Sequence, residues 1–338
     1  MDPLHLAALA ALALGSADRP AALESISLPG GPPVGMDYLA FDRSTDRVWV
    51  PGGNTGRIYV LDAGSGTTLH EIAGVATARR GDRVLGASSA SSGGGTVYVG
   101  NRADSTVCAY DAIHLDRKGC ATLSAQPDGL AYVASTNEVW ATTPKDDSIA
   151  VLRVEDPSTP KLSYTVKLGG APEGYAVDSA RALFYTNLED KDRTVMIDAR
   201  SRKVTAVWRP ECGEKGPRGL ALDAVRQHLF VACTDGLRVL DTKDGAVLAR
   251  LATGPGVDNI DFLASRRLVY VASGKDARLT IAEVAEDGRL KVVSTISTAE
   301  GCRTVVVDDT GSAYLPDSRG GRLLVVHPEL RDRPRAPP

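Results

Sequence analysis

Apolar residues along the chain fall in short runs bounded by Gly, Pro, Asn and Asp, and they seldom recur with the 3.6-residue period of a helix. Seven runs share one wording, in which an aromatic residue sits among small or β-branched ones. They are Arg47-Val-Trp-Val-Pro51, Thr96-Val-Tyr-Val-Gly-Asn101, Glu138-Val-Trp-Ala-Thr142, Leu183-Phe-Tyr-Thr-Asn187, Leu229-Phe-Val-Ala-Cys233, Leu268-Val-Tyr-Val-Ala-Ser273 and Ser312-Ala-Tyr-Leu-Pro316. Such runs predict buried strands. A polar turn and a second strand ending in Asp follow most of them, as in Arg57–Asp62, Thr106–Asp111 and Leu237–Asp241. A further strand comes after (161–167, 203–208, 247–251), and a shorter one precedes the aromatic run, as in Gly174–Asp178 and Gly219–Asp223.

Four strands recurring about every 45 residues predict the blades of a β-propeller. Residues 22–330 divide into seven units of about 44 residues, a usual blade length. The last unit shows only three strands, and residues 22–28 read as a spare outer strand. The sequence therefore predicts an all-β, seven-bladed propeller of four-stranded blades, its ring closed by an N-terminal strand beside residues 323–326. Residues 331–338 form a Pro- and Arg-rich tail. Residues 4–14 are apolar and end in Gly15-Ser16-Ala17, so residues 1–17 read as a signal peptide or an N-terminal extension, although no Lys or Arg precedes the apolar run. Export to the periplasm or outside the cell is the favoured location, with the cytoplasm as the alternative.

Charge narrows the function. The 39 Lys and Arg against 42 Asp and Glu give a net charge of −3, which supplies no global field for nucleic acid. Aromatics make up 5% of the chain, too few for a base-stacking platform. No apolar run is long enough to span a bilayer. Aligning the units on their first strands places a charge at each start: Asp37, Arg83, Asp128, Glu173, Arg218, Asp258 and Arg303. Innermost strands line the channel, so these side chains are expected around one mouth, joined by turn residues that include Asn101 and Asn187. Two uses of such a ring stand open. It is a collar of mutually paired charges, or a pocket in which the arginines hold a carboxylate or phosphate and the acids hold hydroxyls or amines.

The strand wording at 97–101 (VYVGN) and 184–187 (FYTN) resembles that of the YVTN family of propeller repeat proteins, over about residues 22–330. That resemblance implies the fold and leaves the function open, since the family mixes surface-layer, periplasmic and cytochrome-associated proteins. A weaker similarity links the acids at the blade starts to gluconolactonase-type propellers, which implies lactone hydrolysis with a metal at the channel mouth.

Other chemistry is thin. His5, His70, His114, His228 and His327 have no ligand spacing, so no imidazole metal site is predicted. Asp37, Asp128, Glu173 and Asp258 offer oxygen to a calcium ion, opposed by the arginines of the same ring. No covalent haem motif, nucleophile elbow or phosphate-binding loop occurs. The cysteines suit two bridges, Cys108–Cys120 and Cys212–Cys233, with Cys302 left beside Arg303 as a thiol of lowered pKa or a buried apolar residue. The reading that follows is a monomeric, exported binding protein without a cofactor, whose mouth takes a small polar or anionic ligand or a partner's loop. The alternative is a hydrolase or lyase acting there, with or without a divalent ion.

Overall fold

A computed structural model of the chain describes residues 22–63, 69–154 and 159–329. The signal-peptide reading of residues 1–17 and the tail reading of 331–338 lie outside them. Seven four-stranded antiparallel sheets follow one another along the chain, six of them built from consecutive strands. Their innermost strands are Ala40–Asp42, Ala87–Gly93, Leu130–Val133, Pro172–Asp178, Pro217–Asp223, Val257–Leu263 and Val306–Val307. The predicted propeller is the observed fold.

The aromatic runs are the second strands, and their rings are among the largest fully buried side chains: Trp49, Tyr98, Trp140, Tyr185, Phe230, Tyr270 and Tyr314 are each at most 1% exposed. They sit in seven apolar clusters among the described residues, each shared by two neighbouring blades. One of them joins Trp140 and Val151 of blade three to Phe184 and Ile197 of blade four. Removing such area from water stabilises by about 25 cal/mol per Å², so the ring is held by its blade-to-blade seams and has no single centre.

Blade seven closes as predicted. Ala22–Ser27 pairs antiparallel with Arg322–His327, in register from Ala22 opposite His327 to Ser27 opposite Arg322. The chain's first described strand is thus the outer strand of the last blade, and among the described residues all seven blades have four strands.

The recurrent aspartates have a local task. Asp178 accepts from the Arg181 N–H at 3.0 Å, Asp223 from those of Val225 and Arg226, and Asp308 from those of Thr310, Gly311 and Ser312. Each carboxylate closes the turn into the aromatic strand.

One part of the alignment is corrected. Arg83 does not begin the innermost strand of blade two. It belongs to an added hairpin, Ala78–Arg80 paired with Arg83–Leu85, and is exposed. The innermost strand is Ala87–Gly93, a stretch of Ala, Ser and Gly. Small residues are required there because neighbouring backbones crowd the axis: a Cβ on Gly86 would lie 1.8 Å from the Gly53 carbonyl oxygen, and one on Gly93 would lie 1.9 Å from the Tyr132 ring. Packing dictates a composition that a strand pattern does not reveal.

Candidate functional site

The residues entering the inner strands share one end of the blades, and strand register identifies the blade-two member as Ser88. Ala87 lies opposite Asn101 in blade two as Pro217 lies opposite Cys233 and Val257 opposite Ser273, so Ser88 matches Arg218 and Asp258. A charge is missing at that point of the ring. Arg102, in the turn after the aromatic strand of the same blade, fills it by donating to Asp37 at 2.8 Å and to Asp128.

Ion pairs then run along one arc. Asp128 of blade three meets Arg102 of blade two, which meets Asp37 of blade one. Asp37 meets Arg303 of blade seven at 3.8 Å, and Arg303 donates through Nε to Asp258 of blade six at 3.1 Å. The carboxylates are buried, with side chains 14%, 10% and 12% exposed at Asp37, Asp128 and Asp258, whereas Arg303 is 55% exposed at the rim. Of the two uses left open by the sequence, a collar of paired charges is present over these five blades.

Blades four and five break it. Arg218 pairs with Glu189, on a turn of blade four, and contacts none of the acids of the arc. Glu173 has no cation in contact; its Oε1 accepts from the phenol of Tyr38 at 3.1 Å. Tyr38 reaches across from blade one, accepts the Gly174 N–H at 3.2 Å and stacks on Tyr175 with ring centroids 6.0 Å apart. Tyr38 and Tyr175 therefore floor the mouth. A separate cavity of about 380 Å³ lies below, lined by Tyr132, Tyr175, Val177, Leu222, Asp261 and Val305 among others. The glycines after the mouth residues permit this closure: a Cβ on Gly174 would lie 2.5 Å from Gly219 Cα, and one on Gly219 would lie 2.3 Å from the Asn259 side chain.

The gap is acidic. Burial raises the pKa of Glu173, and the charge of Asp37 raises it further. Burial lifts Asp258 to about 7, since the loss of water outweighs attraction to Arg303, and Asp37 and Glu173 add repulsion. Tyr38 is held well above the ordinary phenol range by burial and by the Glu173 charge. Asp261, in the cavity below, is also raised by burial, although its oxygens accept the N–H groups of Val307 and Phe262.

Several expected roles change. Arg83, Arg218 and Arg303 do not converge on one anion: the first lies on the added hairpin, the second on Glu189, the third between two acids. Asn101 spends its amide on the Ala76 carbonyl and the Ala103 N–H. Asn187 donates to the Arg218 carbonyl and accepts from Thr194, so both amides fasten backbone. Cys108–Cys120 and Cys212–Cys233 are disulfides. Cys302 is fully buried and its thiol is pushed up to about 11 by burial, the opposite of an activated nucleophile. Among the described residues no group of three His, Cys, Asp or Glu side chains is arranged to hold a metal ion, because arginines part the four acids. Tyr38 was missed by sequence reasoning. Its signal was an aromatic at the position after the mouth residue, where blades three, four and five carry Gly129, Gly174 and Gly219.

No protein-family model and no curated protein matches the chain. Solved structures do. A chain of the mitotic checkpoint complex is 14% identical with a TM-score of 0.75, over 97% of this chain and 98% of that one. The streptogramin B lyase structure is 13% identical with a TM-score of 0.71, over 90% and 97%. The RRP9 WD40 repeats are 14% identical with a TM-score of 0.73, over 92% and 98%. At such identities these likenesses establish the propeller fold alone.

Proposed function

We propose that the protein is an exported binding protein whose channel mouth takes a small polar ligand over blades four and five, presenting an amino group or several hydroxyls to Glu173. The observation that carries this is the Glu173 carboxylate, buried near Asp37 and Asp258 with a phenol as its hydrogen-bond donor and, among the described residues, no cation within ion-pair distance, Arg218 and Arg102 acting on it only from further off. A buried carboxylate held in that way is completed by a cationic or donor-rich ligand. The arginines of the arc are already engaged by acids, which moves the reading from an anionic ligand towards a cationic or neutral one. Two disulfides are compatible with an oxidising compartment, and no helix among the described residues is long and apolar enough to cross a membrane. The strand wording and the propeller fold together support kinship with YVTN repeat proteins.

Calorimetric titration with small amines, amino sugars and dicarboxylates tests the proposal. Saturable binding of an amine or amino sugar, lost in Glu173→Gln, is the expected result. Binding of dicarboxylates alone, unchanged in that variant, would overturn it.

A lyase or hydrolase is the second reading, and Asp258 favours it. A carboxyl of pKa about 7 beside a second raised acid and a phenol has the proton affinity of a general acid or base at neutral pH. Turnover of a lactone or ester panel that disappears in Asp258→Asn would select this reading.

A further inference from the structure

We propose a second binding site in the channel below the mouth, for a small aromatic amine whose ammonium group meets Asp261. The cavity there has a volume of about 380 Å³, within the range of small-molecule sites, and residues of all seven blades line it. Its wall is mostly apolar, and Leu39, Tyr132, Tyr175, Val177 and Leu222 are each only partly buried. Arg43, the exposed residue of the lining, marks the end nearest solvent.

Asp261 departs from the pattern of the ring. Strand register sets it opposite Tyr270, the buried aromatic of the second strand of blade six. In blades one, three, four and five the same place holds alanine: Ala40 opposite Trp49, Ala131 opposite Trp140, Ala176 opposite Tyr185 and Ala221 opposite Phe230. Blades two and seven put Ser91 and Val306 there. Packing beside the aromatic strand calls for a small uncharged residue, and blade six alone carries a carboxylate. The N–H groups of Phe262, at 2.7 Å, and of Val307, at 2.8 Å, supply one hydrogen bond to each of its oxygens. Ionised carboxylate oxygens accept about two bonds each, so acceptor capacity remains on both. Among the described residues no cation lies within ion-pair distance of Asp261; Arg43 acts on it from further off and is itself paired with Asp309 at 2.8 Å. Burial raises the pKa of Asp261, as expected of a carboxylate that lacks a counter-charge. Burial, and then the charge of Asp261, also raise the Tyr175 phenol, which sets that ring in the same part of the cavity. An ammonium group would supply the missing charge, and the rings of Tyr132 and Tyr175 would cover an aromatic body.

The probe is phenethylamine, titrated into the full chain at neutral pH and followed by calorimetry, with phenylacetate as an anion of similar shape. Saturable binding of the amine and none of the acid is expected. Affinity should fall about tenfold or more in Asp261→Asn, because neutralising one partner of a buried charge pair leaves the other without compensation. Val177→Trp changes neither Asp261 nor its backbone partners and fills the cavity, so it is decisive even where Asp261→Asn fails to fold. It too should abolish binding. Glu173→Gln should leave phenethylamine binding unaltered, which makes the outcome independent of what the mouth takes. No saturable binding of the amine, equal binding of phenylacetate, or undiminished affinity in Val177→Trp would overturn the proposal. Loss of binding in Glu173→Gln would do so as well, by placing the amine at the mouth.

Discussion

Side chain by side chain, the arginines of the mouth differ in what their removal leaves behind. Arg102 faces two buried acids, Asp37 and Asp128, and Arg102→Gln would strand Asp128 and leave Asp37 with Arg303 at 3.8 Å. A loss of about 3–5 kcal/mol is expected, read as a lowered midpoint in urea unfolding. Arg218 meets Glu189 at sites with side chains 30% and 29% exposed, so Arg218→Gln should cost less than about 1 kcal/mol. Equal losses in the two variants would contradict the arc with its gap. Asp258 sets a pH dependence. Its pKa rises from 3.8 to about 7 on folding, so the folded chain holds this proton more tightly than the unfolded one. The resulting stabilisation is present below 3.8 and is lost as pH climbs to about 7. Melting of the parent should therefore fall over that interval, and Asp258→Asn should flatten the fall; an unchanged slope would assign it to other acids. The spacing of charges in the sequence located Asp37, Asp128, Glu173, Arg218, Asp258 and Arg303. It failed at Arg83 because an added hairpin kept the 45-residue interval while carrying the charge off the ring. Which charges pair was illegible, since Arg102 and Glu189 approach the mouth from turns whose direction no periodicity records.

Strands and turns were more legible than contacts, because each aromatic strand is buried on both faces and its composition shows it. The closing strand was legible for a topological reason: the last unit lacked a strand and residues 22–28 were left over. Deleting Ala22–Ser27 would uncover the backbone of Arg322–His327, an edge that carries Leu323, Leu324, Val325 and Val326. The truncated chain should melt lower and form oligomers by light scattering. A monomer with unchanged melting would show that the strand closes nothing. Turns offer a gain in stability. Gln227 has a φ of 60° in the turn before the aromatic strand of blade five, where blade two uses Gly95. Gln227→Gly relieves the left-handed strain but loosens the unfolded chain, and a net gain of up to about 1 kcal/mol is expected. A destabilised variant would show that the glutamine side chain holds the turn. Blade two's inner strand stayed hidden because crowding at the axis selects Ala, Ser and Gly, residues that sequence reading assigns to turns.

Across the whole ring, every seam is shared by two blades, so weakening one loosens both neighbours and the molecule should unfold in a single transition. The disulfides act within this scheme. Cys108–Cys120 joins the third and fourth strands of blade two, 12 residues apart in sequence. Cys212–Cys233 ties the link between blades four and five to the second strand of blade five, across 21 residues. Loop closures of these sizes limit the unfolded chain and stabilise by about 3 kcal/mol each. Cys233 is buried and Cys120 exposed, so a mild reductant should open Cys108–Cys120 first. Full reduction is expected to lower the melting temperature by roughly 5–10 °C while keeping one transition. Cys212→Ser with Cys233→Ser should reproduce about half of that shift. The decisive measurement is a thiol titration of the denatured, unreduced chain. One reactive thiol, that of Cys302, agrees with both bridges, whereas five would remove the disulfides and with them this support for an exported protein.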